Sequence, residues 1–249
     1  MKRPAKTRLD QLLVERALVV DLKSARARIM LGDVLVNDHR IDKPGDKFNP
    51  DCQIRLRDKA HPFVSRGGLK LEQALKLWPA QVACAVCIDV GASTGGFSEV
   101  LLLNQAKLVY AVDVGHGQLA DKLRLDPRIK NIERTHILEL DQALLSERPS
   151  IAVIDVSFIS LTRVLPKVVE LLAPEAYIYA LIKPQFEVRA DLLGPGGIVR
   201  DPEARQQAVD KIIALAKNLG LTIRGVAPSP ILGTKGNAEF LLALSCASL

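Results

Sequence analysis

The sequence predicts an α/β protein preceded by a smaller α+β domain. From residue 69 onward, short apolar runs typical of buried strands alternate with longer segments typical of helices, which is the order that builds an open parallel sheet. Before residue 60 the segments are shorter and run helix, helix and then strands. We therefore expect two domains, residues 1–60 and residues 61–249, with a boundary close to His61, which precedes a proline and so disfavours helix.

The first domain is predicted to contain two short helices followed by strands. Leucines near the N-terminus recur at helical spacing and indicate the first helix. Ser24 is placed to cap the second helix, with Ala25, Ile29 and Met30 facing inward and Gly32 at its end. Apolar alternation after Gly32 indicates short strands, and a core of this size is marginal on its own.

The second domain is predicted to alternate between strands and helices. The expected strands cover residues 86–90, 108–112, 151–156, 176–182, 221–226 and 239–244. The expected helices cover residues 95–103, 118–125, 161–172 and 202–219. Open sheets of this kind bind ligands at the carboxyl ends of their strands, so polar residues that follow the strands are the first candidates for a site.

Composition excludes several classes of protein. The chain has 249 residues, 48% of them hydrophobic and 25% charged, so it can bury a full core and is not a disordered tail. No apolar run reaches the ~20 residues that span a bilayer. The basic N-terminus is not followed by the apolar core of a secretory signal. Four cysteines do not make a disulfide scaffold, and we expect a soluble, cytoplasmic protein.

The excess positive charge is concentrated in the first domain. Residues 1–61 contain 14 lysines and arginines against 9 aspartates and glutamates, so they carry nearly all of the net charge of +6. A small basic module beside a neutral one suggests a polyanionic partner, although a solvated surface would have the same composition. The candidate contacts are Arg8, Lys23, Arg26 and Arg28. Because aromatic residues are scarce there, contact with the backbone and shape of folded RNA is favoured over base stacking.

A glycine-rich turn follows the first strand of the second domain. Residues 89–97 read DVGASTGGF, which is close to the dinucleotide fingerprint, but Ser93 stands where its second glycine makes room for a pyrophosphate. Asp113 ends the next strand and can accept hydrogen bonds from a ribose diol. S-adenosylmethionine has a ribose and no pyrophosphate, so it fits best; a nicotinamide dinucleotide and a purely structural turn are the alternatives. The candidate cofactor-binding residues are Asp89, Gly91, Ser93, Gly95, Gly96, Phe97, Asp113 and Asp155.

Four ionisable residues stand where they could form a catalytic site. Lys70 follows residues 65–68, SRGG; Asp155 and Lys183 follow two predicted strands; and Glu239 opens the last strand. Ionisable groups at strand ends above a ligand cleft are candidates for a site, although each alone could be an ordinary exposed strand end.

The first domain resembles an S4 RNA-binding domain over residues 6–57. The matching residues are Arg8, Leu9, Asp10, Leu12, Leu13, Lys23, Ser24, Ala25, Arg26, Ile29, Gly32, Asp33, Val34, Val36 and Asn37. Asp38 departs from that pattern, which usually has glycine there. The resemblance implies that this domain binds RNA.

The second domain resembles the FtsJ-like ribose 2′-O-methyltransferases, and the two-domain layout is similar to that of the TlyA, or haemolysin A, family. The resemblance is carried by residues 65–70 (SRGGLK), 89–97, 154–158 (IDVSF), 182–186 (IKPQF) and 235–239 (KGNAE). It implies a Rossmann-like class I S-adenosylmethionine-dependent methyltransferase domain joined to a small N-terminal α+β S4 domain. It also implies that Lys70, Asp155, Lys183 and Glu239 form the catalytic tetrad of the family.

The implied reaction is methylation of a cytidine 2′-hydroxyl in ribosomal RNA by in-line displacement. Large-subunit RNA is expected as the target, because this chain is similar to the shorter members of the family; longer members also act on small-subunit RNA. The resemblance places Lys183 nearest the hydroxyl, either as general base or as a charged group that orients it. Asp155 could orient Lys183 and contact the methionine end of the cofactor.

Three other functions compete with this interpretation. A nicotinamide oxidoreductase is disfavoured by Ser93 and by the basic first domain. A non-catalytic RNA-binding or ribosome-assembly protein would retain the fold without the chemistry. A membrane-lytic protein, as the family name haemolysin suggests, is disfavoured by the lack of a spanning segment and of a strongly amphipathic basic helix.

Two further patterns are weaker. Cys84 and Cys87 have metal-like spacing, but a zinc site needs more ligands, so we expect buried free thiols and no metal. Residues 192–197 are rich in glycine and are either a mobile flap over RNA, with Arg189 and Arg200 as phosphate contacts, or a plain surface loop.

Overall fold

A computed structural model describes residues 6–30, 32–56 and 61–246, apart from the side chain of Thr234. The chain divides into two compact units, Met1–Pro62 and Phe63–Leu249. None of the helices in this described part combines the length and apolar character needed to cross a bilayer.

The first unit is a small α+β fold. Its elements are β1 (Thr7–Arg8), α1 (Leu9–Glu15), α2 (Leu22–Met30), β2 (Val34–Val36), β3 (His39–Ile41), β4 (Lys47–Phe48) and β5 (Ile54–Leu56). Strands β3, β2 and β5 form an antiparallel sheet in that order, and β1 pairs with β4. The two helices bury Leu9, Leu13 and Ile29 against Val34 and Val36.

Two expectations for α2 are wrong. Asp21, not Ser24, caps the helix: the Ser24 backbone N–H donates to Asp21 Oδ1 at 2.7 Å, as expected for an N-cap residue three positions before its donor. Met30 is exposed, because it lies at the end of the helix, beyond the face that buries Ile29. Gly32 does end the helix in a left-handed conformation (φ +72°), as expected.

The turn after β2 accommodates the departure at Asp38. Both Asn37 (φ +50°) and Asp38 (φ +63°) are left-handed, the combination found in tight type I′ hairpin turns. Asp38 makes an exposed ion pair with Arg55 at 3.0 Å. Aspartate tolerates this backbone better than most residues, so the hairpin keeps its shape without glycine.

The second unit is an α/β sandwich around a seven-stranded sheet, ordered β11-β12-β10-β9-β6-β7-β8. Its strands are β6 (Val86–Val90), β7 (Leu108–Val112), β8 (Ile129–Ile132), β9 (Ile151–Ile154), β10 (Tyr177–Ile182), β11 (Leu221–Pro228) and β12 (Phe240–Cys246). Its helices are α3 (Gly68–Leu77), α4 (Gly96–Leu103), α5 (Asp121–Arg124), α6 (Leu161–Leu171), α7 (Pro184–Glu187) and α8 (Pro202–Asn218). Strands β6 and β9 are buried along their whole length, since helices cover both faces of the sheet.

The expectation of an all-parallel sheet is wrong at one strand. β12 runs antiparallel to both of its neighbours, β10 and β11, and pairs Phe240 with Ile182. The start of β12 therefore lies at the same edge of the sheet as the end of β10. Strand β8 was not among the expected strands, and α5 is shorter than expected, since it begins at Asp121 rather than at residue 118.

The cysteine pair is not uniformly buried. Cys87 is buried in β6, whereas Cys84 is exposed and left-handed (φ +62°), so the expectation of two buried thiols is wrong for Cys84. Among the residues that the structure describes, no group of histidine, cysteine and carboxylate side chains could hold a metal ion.

Candidate active site

The four ionisable residues singled out in the sequence lie together at one edge of the large sheet. Lys70 projects from α3, Asp155 follows β9, Lys183 follows β10 and Glu239 precedes β12. Three of these positions are set by strand ends, since the reversed direction of β12 brings its first residues to the edge where β9 and β10 finish.

These side chains form a line of alternating charge. Lys183 Nζ lies 2.6 Å from Asp155 Oδ1, and the other carboxylate oxygen of Asp155 lies 3.4 Å from Lys70 Nζ. Lys70 Nζ in turn lies 2.6 Å from Glu239 Oε2. Lys70, Lys183 and Glu239 are each less than a tenth exposed. Charges at this depth persist only when they are paired, and two lysines alternating with two carboxylates satisfy that condition.

The two lysines differ in how their charge is balanced. Lys70 lies between two carboxylates, those of Asp155 and Glu239. Lys183, among the residues described, has one carboxylate partner and one neutral partner, the Ser157 hydroxyl, which accepts from its Nζ at 3.1 Å. Lys183 is therefore the lysine with less negative charge beside it.

A glycine holds the last carboxylate in place. A Cβ atom added to Gly233 would overlap Glu239 Oε1, although the backbone of Gly233 is in a region open to other residues (φ −65°). Glycine is required here for room rather than for conformation. The Glu239 carboxylate thus packs directly on the Gly233 backbone while it pairs with Lys70.

The buried Asn237 ties the turn that precedes Glu239 to a neighbouring loop. Its Oδ1 accepts from the Val199 backbone N–H and its Nδ2 donates to the Gly197 carbonyl, both at 3.0 Å. The glycine-rich segment 192–197 is therefore anchored beside the site at its C-terminal end. Asn237 belongs to the KGNAE segment that carries the family resemblance, but no role was predicted for it.

The glycine-rich turn has the backbone that its sequence predicts. Gly91 (φ +86°), Ser93 (φ +48°) and Gly95 (φ +93°) are all left-handed, so Ser93 keeps the backbone geometry favoured by the glycine that it replaces. A Cβ on Gly91 would collide with the Asp155 carbonyl oxygen, which shows how closely this turn approaches the end of β9. Asp113 supports the turn by accepting from the Ser93 N–H at 2.8 Å.

Two cavities meet at this edge. The larger, of about 510 Å³, is lined by Asp113, Val114, Gln118, His136, Ile137, Val156, Phe158 and Ile159, among others. The smaller, of about 280 Å³, is lined by Ser65, Arg66, Gly67, Lys70, Thr94, Gly96, Phe97 and Glu239, among others. Gly91, Ser93, Asp155 and Ser157 line both. The residues expected to bind a cofactor and those expected to act on the acceptor are therefore adjacent.

Two of the expected cofactor-binding residues, Asp89 and Gly95, line neither cavity. The Asp89 side chain is wholly buried within β6 and accepts from the Ser98 hydroxyl at 2.7 Å. Burial raises the pKa of its carboxyl group to about 7, and the hydrogen bonds from Ser98 oppose that rise. Gly95 faces Leu119 and Leu123, so it supports the turn from behind.

Sequence analysis also did not single out Ser157 or Phe158, the residues that follow Asp155 and Val156. The Phe158 side chain is 92% exposed, its backbone is left-handed (φ +63°), and its ring lies 5.3 Å from that of Phe186. A bulky residue in this conformation is rare and is often found at functional sites. Both residues lie in the IDVSF segment that carries the family resemblance, and this segment was the signal in the sequence that could have identified them.

Two of the four expected RNA contacts in the first unit share one carboxylate. Arg8 contacts Asp10 through both branches of its guanidinium (2.9 and 2.7 Å), and Arg26 Nε lies 3.0 Å from Asp10 Oδ2. Asp10 is fully buried, whereas both arginines are roughly half exposed. Hydrogen bonding from Arg8 holds the pKa of the Asp10 carboxyl near 2, and Arg26 adds to the effect. On α2, Lys23 is exposed and Arg28 is half-buried.

The sheet order with its single reversed strand, and a charged cluster at the carboxyl edge, define a methyltransferase of the Rossmann-like class. Comparison with known protein families identifies the family within that class. The model of the FtsJ-like methyltransferases matches residues 63–246, and the chain belongs to that family.

Individual relatives span nearly the whole chain. It is 46% identical to Bacillus subtilis YqxC, a protein named provisionally as an rRNA methyltransferase, over 96% of this chain and 85% of that protein. It is 41% identical to the Mycobacterium tuberculosis 16S/23S rRNA (cytidine-2′-O)-methyltransferase TlyA, over 96% of this chain and 90% of that enzyme. A solved structure from Streptococcus thermophilus, named provisionally as a hemolysin, superposes with a TM-score of 0.76 at 40% identity and covers 99% of this chain and 90% of that one.

Proposed function

We propose that this enzyme transfers the methyl group of S-adenosylmethionine to the 2′-hydroxyl of a cytidine in ribosomal RNA. The observation that carries the proposal is the line Lys183–Asp155–Lys70–Glu239, buried beside a glycine-rich turn. Large-subunit RNA is the first target proposed, and the name of the mycobacterial relative adds small-subunit RNA as a second. A substrate of this kind places the enzyme in the cytoplasm, with the ribosome as its partner.

The residues of the larger cavity fit S-adenosylmethionine. Its volume of about 510 Å³ lies within the range of roughly 300–1,000 Å³ typical of small-molecule sites. Asp113, fixed by the Ser93 and Gly115 backbone N–H groups, would hold a ribose diol. Because Gly91 has no side chain, its backbone can lie directly against the backbone of Asp155 at the wall of the cavity. When bound, S-adenosylmethionine supplies a methyl group that is already electrophilic because it is attached to a sulfonium.

The chain's own residues would prepare the acceptor. A ribose hydroxyl is a weak nucleophile, so the enzyme must align it and take up or balance the proton and charge that shift during attack. Lys183 is assigned to that task because only one carboxylate balances its charge, whereas Lys70 lies between two carboxylates. Asp155 positions Lys183, and Lys70 with Glu239 fixes Asp155 from the other side.

The remaining features support RNA as the acceptor. In the first unit, the exposed edges of Arg8 and Arg26, together with Lys23 and Arg28, would contact phosphates, as expected of an S4-like module. The exposed ring of Phe158 beside the site offers an aromatic surface of the kind on which nucleobases stack.

The test is a methyl-transfer assay with purified full-length protein. Radiolabelled S-adenosylmethionine is supplied with large and small ribosomal subunits, and with their naked RNAs, from cells that lack this protein, and labelled nucleotides are mapped by mass spectrometry. Label on a cytidine ribose supports the proposal and identifies the subunit. Label on a base, or cofactor binding without label on any RNA, contradicts it. Binding of a nicotinamide dinucleotide in place of S-adenosylmethionine would revive the oxidoreductase alternative.

A further inference from the structure

Ser157 occupies a position at the site that the sequence motifs leave unassigned. It follows Asp155 by two residues, where the chain leaves β9, and its hydroxyl accepts from Lys183 Nζ at 3.1 Å. Ser157 is also one of the residues that line both cavities. The left-handed backbone of the next residue, Phe158, turns the chain sharply, so that Ser157 contacts Lys183 while the Phe158 ring is exposed.

The contact restricts the direction in which Lys183 can act. A lysine nitrogen has three tetrahedral positions besides its bond to Cε. Ser157 Oγ occupies one of them through the hydrogen bond of 3.1 Å, and Asp155 Oδ1 lies 2.6 Å away as an ion-pair partner, so the two contacts together restrict the direction left open. In a charged lysine that direction holds an N–H, and in a neutral lysine it holds the lone pair. In both protonation states the two contacts orient the same remaining position on the Lys183 nitrogen.

Asp155 alone would not fix that direction. The terminal bonds of a lysine side chain rotate freely, and one contact leaves the nitrogen free to turn about the line that joins it to the carboxylate. A second, separate contact removes that rotation. Lys70 obtains the same two-point fixation from Asp155 and Glu239, whereas Lys183 obtains it from Asp155 and Ser157.

We propose that Ser157 is a positioning residue that aims the free position of Lys183 at the acceptor hydroxyl. The inference rests on the proposed methyl transfer. It adds a residue whose role is to orient the lysine rather than to change the charge of the site. A neutral hydroxyl suits this role, because it fixes the nitrogen without placing a second carboxylate beside Lys183.

The experiment compares Ser157→Ala with Ser157→Thr in the full-length enzyme. Ser157→Ala should lower kcat by about tenfold to a hundredfold, the usual effect of losing a hydrogen bond to a charged group. Cofactor Kd and KM for RNA should stay within about twofold. Ser157→Thr keeps the hydroxyl and should restore kcat to within a few-fold of the wild type.

Ser146→Ala is the matched control. Ser146 accepts from Lys130 Nζ at the same 3.1 Å but lies on an exposed loop, so its loss should leave kcat unchanged. The proposal is overturned if Ser157→Ala keeps the wild-type kcat. It is also overturned if that variant weakens cofactor binding as much as it lowers kcat, since Ser157 would then contribute only to the shape of the cofactor cavity. Failure of the wild-type enzyme to methylate any RNA, with cofactor bound, would instead contradict the proposed function.

Discussion

Lys70 and Glu239 are separated by 169 positions in the chain and form an ion pair of 2.6 Å. The pairing depends on the direction of one strand. Because β12 runs antiparallel to β10, Phe240 pairs with Ile182. Glu239, just before β12, therefore lies at the same edge of the sheet as Lys183, just after β10. A parallel last strand would place Glu239 at the opposite edge of the sheet.

Glu239→Gln should slow methyl transfer without weakening cofactor binding. The substitution keeps the shape of the side chain but leaves Lys70 with Asp155 alone, which draws that carboxylate away from Lys183. We expect kcat to fall by about tenfold or more, by analogy with other disturbed buried ion pairs. The surface pair Lys107–Glu147, with a similar distance of 2.7 Å, provides the control, since Glu147→Gln should have no effect. Equal kcat values for the two variants would count against the charged line as the working unit.

Gly233→Ala should lower kcat because its Cβ would overlap Glu239 Oε1 and displace the carboxylate from Lys70. The single variant is expected to lose at least tenfold in kcat while its melting temperature changes little. Glu239→Asp shortens the carboxylate side chain and makes room for the added methyl group. The double variant should therefore lose less than the sum of the two single effects, because the residues are in contact. Strict additivity of the two effects would show that Gly233 does not act through Glu239.

Asp10→Asn should weaken RNA binding while leaving kcat at saturating RNA unchanged. The buried carboxylate orients Arg8 and Arg26, and asparagine removes its charge and replaces one of its two acceptor oxygens with an NH2 donor, so the two guanidinium groups lose the charged partner that fixes them. The pKa of Asp10 is lowered to about 2, so its stabilising contribution is present above the unfolded value of about 3.9 and is lost as the pH falls toward 2.

Asp38→Asn is the control for that variant. Asp38 pairs with Arg55 on the exposed hairpin, and exposed pairs contribute little. Filter binding and urea unfolding of the two variants would separate the effects. The account is contradicted if Asp10→Asn binds RNA as tightly as the wild type or if both variants lose affinity equally.

Asp89→Asn should change how stability depends on pH. The pKa of Asp89 is raised to about 7 in the folded protein, against about 3.9 in the unfolded chain. Between these values the unfolded chain has released a proton that the folded protein retains, so this group lowers the free energy of unfolding as the pH rises from 4 to 7. The change is complete above pH 7 and amounts to about 4 kcal/mol at most.

The comparison is made by urea unfolding at pH 5, 6.5 and 8. Asparagine matches the neutral carboxyl group in shape and does not titrate, so the stability of Asp89→Asn relative to the wild type should rise from pH 5 to about 7 and then level off. Parallel pH profiles for the two proteins would mean that Asp89 is ionised in the fold.

Sequence patterning predicted the elements that are dominated by burial. The bounds of β6 and β7 match expectation because both strands are largely uninterrupted apolar runs. Gly32 follows α2 as expected, because the chain there takes a left-handed conformation that glycine adopts easily. Short elements were less predictable. Asp21 and Ser24 are both good caps, and the helix begins after the earlier of the two. Met30 is exposed because it lies about 100° around the helix from Ile29, off the buried face.

The sequence predicted which residues belong to the site, but not how their side chains contact one another. Residues that follow strands of one sheet meet at one edge, which explains Asp155 and Lys183. Glu239 depends on the reversal of β12, which local sequence does not encode. The contact between Ser157 and Lys183 and the packing of Gly233 on Glu239 are made by tertiary structure alone, so no spacing rule predicts them.

The most direct test of the central claim is nucleoside analysis of ribosomal RNA from cells that carry the wild-type enzyme, a Lys183→Met variant expressed at the same level, or neither. The account predicts 2′-O-methylcytidine at a defined position with the wild type and its absence in the other two. The same methylated cytidine in cells that carry Lys183→Met, at wild-type abundance, would contradict it.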